Sequence, residues 1–223
     1  WMQRKGSHSM TETSIPQAGP WNSHYENSRY ICDYLTSDSC VLDLGSYKGE
    51  FAFKIQEKYN CDVYAYEPIE EFCDAIDSVN NPKIHVNRFA LGENDGTETI
   101  VVGGEGTTLE KYDRINNPSH KGNPSKDLKD LPTTNIKMVN VVDEMQKYDS
   151  IDLMKINTEG SEYEILSSLI ESGDIKKVEN LHVQFHSFVP DAYVKYEAIK
   201  EKLNKTHDVV LDSLWKWTFW KRK

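Results

Sequence analysis

Short apolar runs alternate along the chain with stretches whose apolar positions recur every three or four residues, the signature of alternating strands and amphipathic helices. Val41 to Leu44 reads as a first strand ending at Gly45. A turn reaches Gly49, and Glu50 opens a helix with Phe51, Ala52 and Ile55 inward, running on to Lys58. Val63 to Tyr66 is a second strand and ends on an acid, Glu67. The helix Ile69 to Val79 follows, with Phe72, Ala75, Ile76 and Val79 on one face, and Asn80-Asn81-Pro82 stops it. Lys83 to Leu91 alternates as a third strand. Gly92 to Gly96 is a turn, and the β-branched run Thr97 to Val102 completes an expected hairpin.

From Gly103 to Asn135 the pattern lapses into Gly, Asn, Pro, Ser and Lys, an insertion read as a functional lid or a disordered loop, with His120 exposed on it. An accessory strand, Ile136 to Val142, and a short helix, Asp143 to Lys147, restore regularity. Ile151 to Ile156 is the fourth main strand, followed by the helix Glu162 to Ser172 with Gly173 as its stop. Leu181 to Phe185 is a strand ending at His186. The helix Tyr193 to Leu203, the strand Val209 to Leu214 and a last strand, Trp217 to Trp220, close the chain.

Ahead of the first strand, Ile31, Tyr34 and Leu35 suggest a helix within Trp21 to Leu35. Residues 1–9 read as an expression-tag scar, 10–36 as a lead-in with that helix, and 37–223 as one domain carrying the 103–135 insertion. The pattern predicts an α/β, Rossmann-like fold: a seven-stranded, mostly parallel open sheet with helices on both faces and the last strand antiparallel.

Strand, glycine turn, helix, strand, acid is how a parallel sheet builds a nucleoside crevice at its carboxyl edge. Glu67, 22 residues after Gly45, stands where a carboxylate accepts from both ribose hydroxyls. The glycines read G-x-x-x-G, so the dinucleotide fingerprint is absent, as is a Walker lysine. Tyr47 and Lys48 fill the turn and Glu50 follows it. An acid there repels phosphate and suits a cation, which points to S-adenosylmethionine, with a different nucleotide or a cofactor-free fold as the alternatives.

Composition narrows the partners. The 223 residues carry a formal charge of −10, or −12 without Arg4 and Lys5, which disfavours nucleic acid as substrate. The basic tail, Lys216 and Lys221-Arg222-Lys223, is the local exception. No apolar run approaches membrane-spanning length and no secretory signal is evident. Four cysteines without a C-x-x-C pair read as buried reduced thiols, which suits the cytoplasm. No His, Cys and carboxylate cluster has metal-ligand spacing, so no metal is expected. Trp215, Trp217, Phe219 and Trp220 read as edge-strand core before a sugar-stacking surface.

The chain resembles the FkbM family of S-adenosylmethionine-dependent methyltransferases. The resemblance rests on Val41-Leu-Asp-Leu-Gly45 with Gly49-Glu50, on Tyr66-Glu-Pro68, and on Ala90-Leu-Gly92 followed by Asp95-Gly96. Its most specific block is Ile151-Asp-Leu-Met-Lys-Ile-Asn-Thr-Glu-Gly160 with Glu162 and Leu166. The resemblance implies O-methylation of a hydroxyl on a sugar, glycan or sugar-bearing metabolite. It implies that Asp43, Gly45 and Gly49 hold the methionine end, with Ser46 and Tyr47 in the same turn. Glu67 and Pro68 would meet the ribose, and Phe89, Ala90 and Leu91 the adenine. Asn157, beside the cofactor, and Glu159 would face the transfer site, with holding the cofactor amino group or capping the next helix as the alternatives for Glu159. The chain departs from the family in two places: Ser46-Tyr47 replaces Ala-Asn, and Asn157 replaces Asp.

His186, at the carboxyl end of the fifth strand, is the candidate general base because imidazole titrates near neutrality; a structural or positioning role stands beside that reading. For His182, four residues earlier on the same strand face, the structural reading is preferred. Asn157 also motivates a catalytically impaired cofactor-binding module as an alternative. A nicotinamide-dependent oxidoreductase is disfavoured by the G-x-x-x-G turn.

Overall fold

A computed structural model of the chain describes residues 28–102, 108–109 and 132–223. The expectations for the tag scar, for the lead-in up to residue 27 and for most of the 103–135 insertion, His120 included, lie outside the described residues. The first half runs β1 (Cys40–Leu44), α1 (Glu50–Tyr59), β2 (Asp62–Tyr66), α2 (Glu70–Asp77), β3 (Ile84–Asn87), β4 (Ala90–Gly92), β5 (Gly96–Val101) and β6 (Thr108–Leu109). The second runs β7 (Thr133–Asn140), α3 (Val141–Met145), β8 (Ile151–Ile156), α4 (Glu162–Ser172), β9 (Val178–Val183), α5 (Ala192–Leu203), β10 (His207–Asp212) and β11 (Thr218–Arg222).

Seven strands form the main sheet in the order β10-β11-β9-β8-β1-β2-β3. All are parallel except β11, which runs antiparallel to both its neighbours. The central strands β1 and β8 are buried on both faces. Leu42, Leu44, Met154 and Ile156 join one core, while Val41 and Leu153 join the other, as a period of two requires when helices cover both sides. The chain winds outward from β1 through β2 to β3, then returns to β8 and winds the other way. The order therefore reverses between β1 and β8, and a crevice opens beyond their carboxyl ends.

Several expectations are corrected. The third strand is two: β3 ends at Asn87, and β4 belongs to a second sheet ordered β4-β7-β5-β6. The break falls at Arg88, whose guanidinium turns outward to Glu70, Asp74 and Asp77 along α2. No hairpin joins β4 to β5, because β7 lies between them, parallel to β4 and antiparallel to β5 over six residue pairs. Thr133 to Asn135, assigned to the irregular insertion, are therefore strand. Of the stretch expected to hold a helix, Ser28 is helical and residues 21–27 lie outside the described residues; residues 29–35 run on as turns and irregular chain, with Ile31 and Tyr34 exposed and Cys32 and Leu35 buried. Val79 lies past the end of α2 and is exposed, its expected place being taken by Cys73.

The second sheet is fastened to the first by a buried network. The Tyr66 hydroxyl donates to Glu144 of α3 at 3.0 Å and meets the Tyr148 hydroxyl at 2.6 Å. Trp217 and Trp220 are fully buried, so the C-terminal aromatics serve the core. All four cysteines are free, and three of them are buried. Among the described residues no helix is long and apolar enough to cross a membrane.

Candidate active site

The turn after β1 is shaped by what passes behind it. Gly45 has φ +76°, and a Cβ there would stand 2.0 Å from the carbonyl oxygen of Asn157. Only glycine lets the ends of β1 and β8 come this close. The Gly45 and Ser46 amides both donate to the Tyr66 carbonyl, at 3.0 and 3.2 Å, and the Ser46 hydroxyl donates to the Asp43 carbonyl at 2.7 Å. Tyr47 is held at φ 51°, and its amide donates to Glu67 Oε2 at 2.8 Å. Glu67 Oε1 accepts from the Ile69 amide at 3.0 Å. Burial raises the Glu67 carboxyl to about 7, against the pull of those two amides.

Lys155 is one of two charged residues in β8, and unlike Asp152 it is buried. Its ammonium lies 2.8 Å from Asp43 Oδ1 and donates to the carbonyls of Gly45 at 2.8 Å and Leu44 at 3.4 Å. Asp43 is completely buried. The pair thus bolts the first turn to β8 from below.

Beyond β8, Glu159 is held at φ 52° before Gly160. Glu162, fully buried at the start of α4, accepts from the Gly160 amide at 2.8 Å and the His186 amide at 2.9 Å. The His186 ring stands between two carboxylates, with Nδ1 3.0 Å from Glu162 Oε1 and Nε2 3.3 Å from Glu159 Oε1. Burial alone would lower this imidazole, but Glu162 and Glu159 together carry it up to about 10. A ring that is protonated at neutral pH has no lone pair with which to take a proton. His182, by contrast, is depressed by burial to about 3 and stacks on Phe219 at 3.9 Å, a core histidine.

These turns wall a cavity of about 530 Å³, inside the range of about 300–1,000 Å³ typical of small-ligand sites. Of the residues expected at the site, Gly45, Ser46, Tyr47, Glu67 and Pro68 line it on one side. Ala90 and Leu91 line another part, and Asn157 and Glu159 the end beyond β8. Four do not reach the wall. Asp43 lies beneath it behind Lys155, Gly49 caps α1, and Phe89 packs edge-on against Tyr66. His186 lies behind Glu159. The sequence reading gave no role to Lys155, Arg29 or Gln184, nor to the apolar wall that Ile100, Ile136 and Met138 bring from the second sheet. For Lys155 a signal was present, since a lysine inside a buried strand requires a partner.

The domain model described as Methyltransferase FkbM domain matches residues 43–219, a span that contains both turns and the His186 cluster. The chain belongs to the FkbM methyltransferase family. It is an S-adenosylmethionine-dependent methyltransferase. No curated protein matches the chain. Among solved structures, an rRNA methylase from Streptococcus thermophilus is similar at 10% identity and a TM-score of 0.50, over 92% of this chain and 99% of that one. A Streptococcus mutans protein, named as a methyltransferase and crystallised with S-adenosylhomocysteine, is similar at 8% identity and a TM-score of 0.50, over 89% of this chain and 97% of that one. At such identities the likeness is one of fold.

The residues present fit the family's cofactor. The Asn157 side-chain oxygen is buried at the cavity wall and has no hydrogen-bond partner among the described residues, an acceptor suited to an ammonium group. Glu67 offers a ribose its remaining lone pairs, and the Ala90, Leu91 and Met138 side chains give a purine an apolar face.

Proposed function

We propose that this chain is an O-methyltransferase for a hydroxyl on a sugar or sugar-bearing small molecule, with Glu159 as the carboxylate at the transfer site. S-adenosylmethionine supplies a methyl group activated on a sulfonium. Glu159 at the cavity wall accepts the proton that the acceptor hydroxyl loses as its oxygen takes that methyl. His186 is a positioning residue: as imidazolium it holds Glu159 from behind, and Glu162 anchors the ring. This reassigns the base from histidine to glutamate, and the observation that carries it is the carboxylate–imidazolium–carboxylate row with only Glu159 on the cavity.

Positioning of the acceptor supplies about 7–11 kcal/mol, more than the roughly 3–5 kcal/mol of a general base. Asn157 in place of aspartate is therefore compatible with turnover, and its orphan oxygen has the cofactor's ammonium as a partner. A small acceptor also agrees with the charge of −10, since a phosphate backbone needs clustered cations.

The test is a panel of sugars, glycans, sugar-bearing metabolites and RNA, scored by S-adenosylhomocysteine release. Turnover with RNA alone removes the small-acceptor reading. With the acceptor in hand, Glu159→Gln is expected to lower kcat by about 10²–10⁴-fold while S-adenosylhomocysteine affinity is retained. His186→Gln is expected to lower kcat by a smaller factor at unchanged acceptor KM. Full turnover by Glu159→Gln refutes the assignment.

Glu67 gives the cofactor site a pH dependence. Ribose hydroxyls donate to the ionised carboxylate, so binding favours the deprotonated form and lowers a group that sits near 7 in the free protein. The affinity for S-adenosylhomocysteine is expected to be full above pH 7 and to fall by about tenfold per unit as pH drops below it, one proton being released per ligand bound. Calorimetry in buffers of different ionisation heat reads that proton directly. Glu67→Gln should bind weakly and lose the dependence.

A further inference from the structure

Asn157 and Gln184 each stand one residue past a ladder pair, Ile156 of β8 against Val183 of β9. The Gln184 backbone amide donates to the Ile156 carbonyl at 3.0 Å, so the two residues leave neighbouring strand ends side by side. Val183 and Phe185, before and after Gln184, are buried in the core, and the alternation of extended chain turns Gln184 to the other face. There it is half-buried and lines the cavity. Its side-chain carboxamide has no hydrogen-bond partner among the described residues.

The strand order assigns this amide to one end of the crevice. The sheet runs β9-β8-β1-β2, so Gly45 and Glu67 mark the nucleoside side and Gln184 stands one strand beyond Asn157. Thr158, Glu159 and Ser161 complete the wall at that end. A carboxamide presents an acceptor oxygen and a donor nitrogen together. Two adjacent hydroxyls on a ring present the complementary pair, since each hydroxyl donates and accepts. An isolated hydroxyl satisfies one half of the amide and leaves the other half without a partner, which costs binding. Glu159 disfavours an anionic acceptor at this end, and the uncharged amide does not offset it.

We infer that Gln184 is an acceptor-binding residue that selects a hydroxyl flanked by a second hydroxyl, the vicinal diol of a sugar ring. Its carboxamide holds the neighbouring hydroxyl while the reacting one faces Glu159. The inference rests on the sugar-acceptor reading above and narrows it from any hydroxyl to one with a hydroxyl beside it.

The test compares methyl glucopyranosides, mannopyranosides and galactopyranosides with their monodeoxy analogues, scored by S-adenosylhomocysteine release. It uses the unsubstituted chain and Gln184→Met, which keeps the length of the side chain and removes both polar ends. The unsubstituted chain is expected to prefer a glycoside that keeps the neighbouring hydroxyl over the analogue that lacks it, by about 10- to 100-fold in kcat/KM. Gln184→Met should lose that preference by slowing on the diol alone, with S-adenosylhomocysteine affinity unchanged in calorimetry. A preference that is absent from the unsubstituted chain, or that persists in Gln184→Met, overturns the inference. Weakened S-adenosylhomocysteine binding in the variant also overturns it and makes Gln184 a cofactor contact. Equal slowing on both acceptors overturns it too, since that marks a structural role. No turnover of any glycoside removes the sugar-acceptor reading itself, a result distinct from the others.

Discussion

Gly45→Ala is expected to unfold the site and destabilise the whole chain. The substitution forces a side chain into φ +76° and places its Cβ 2.0 Å from the Asn157 carbonyl oxygen. The backbone conformation costs about 1–3 kcal/mol, and forcing β8 away from β1 adds about 1–3 kcal/mol more. The obstacle is backbone, so no rotamer change relieves it. Moving Asn157 also breaks its amide hydrogen bond to the Leu44 carbonyl at 3.0 Å and shifts the Lys155 pair below. The midpoint of thermal unfolding should fall by roughly 4–24 °C, given about 2–4 °C per kcal/mol at this chain length. S-adenosylhomocysteine binding should be lost with it. An alanine variant that melts and binds like the parent contradicts the close approach of the two strand ends.

Lys155→Met should be nearly as damaging, for an electrostatic reason. It leaves the Asp43 carboxylate fully buried with its cation removed, a cost of about 3–5 kcal/mol. Methionine fills much of the same volume, so packing contributes little. The control is the double variant Asp43→Asn with Lys155→Met, which removes both charges and should recover most of the lost stability, because a missing pair costs less than a widowed charge. Urea unfolding of the two single variants and the double variant gives the coupling. Simple additivity of the two single losses would show that the charges do not interact across β1 and β8. The same substitution frees the Leu44 and Gly45 carbonyls at the cofactor turn, so S-adenosylhomocysteine affinity should fall as well.

The pairing of Asp43 with Lys155 explains why a residue expected to touch the cofactor does not reach the cavity. In the sequence, Asp43 lies two positions before Gly45, and the family resemblance implies that it holds the methionine end of the cofactor. In the fold its side chain meets β8, because Asp43 and Lys155 stand opposite each other in the parallel ladder. His186 tells a similar story. Its position after the fifth strand and its ordinary acidity suggest a base, but Glu159 from the turn after β8 and Glu162 from the start of α4 flank it and keep it charged. The proton acceptor we propose at the wall is then Glu159, a residue that the family resemblance also implies at the transfer site.

What the sequence by itself determined was whatever depends on near neighbours. Short apolar runs set β1, β2 and β8; the three- and four-residue steps set α1 and α4; the glycine turn and the acid after β2 set the crevice. Backbone conformational preference and burial of a stripe act over a few residues, so they leave a readable local trace. Tertiary structure alone decided the second sheet, where β7 separates β4 from β5, and with it the apolar wall of Ile100, Ile136 and Met138. It also decided which charges meet: Lys155 with the turn 110 residues earlier, and His186 with Glu162 24 residues before it. Those contacts are set by strand order and by desolvation, which are properties of the assembled fold, and no short-range pattern in the chain encodes them.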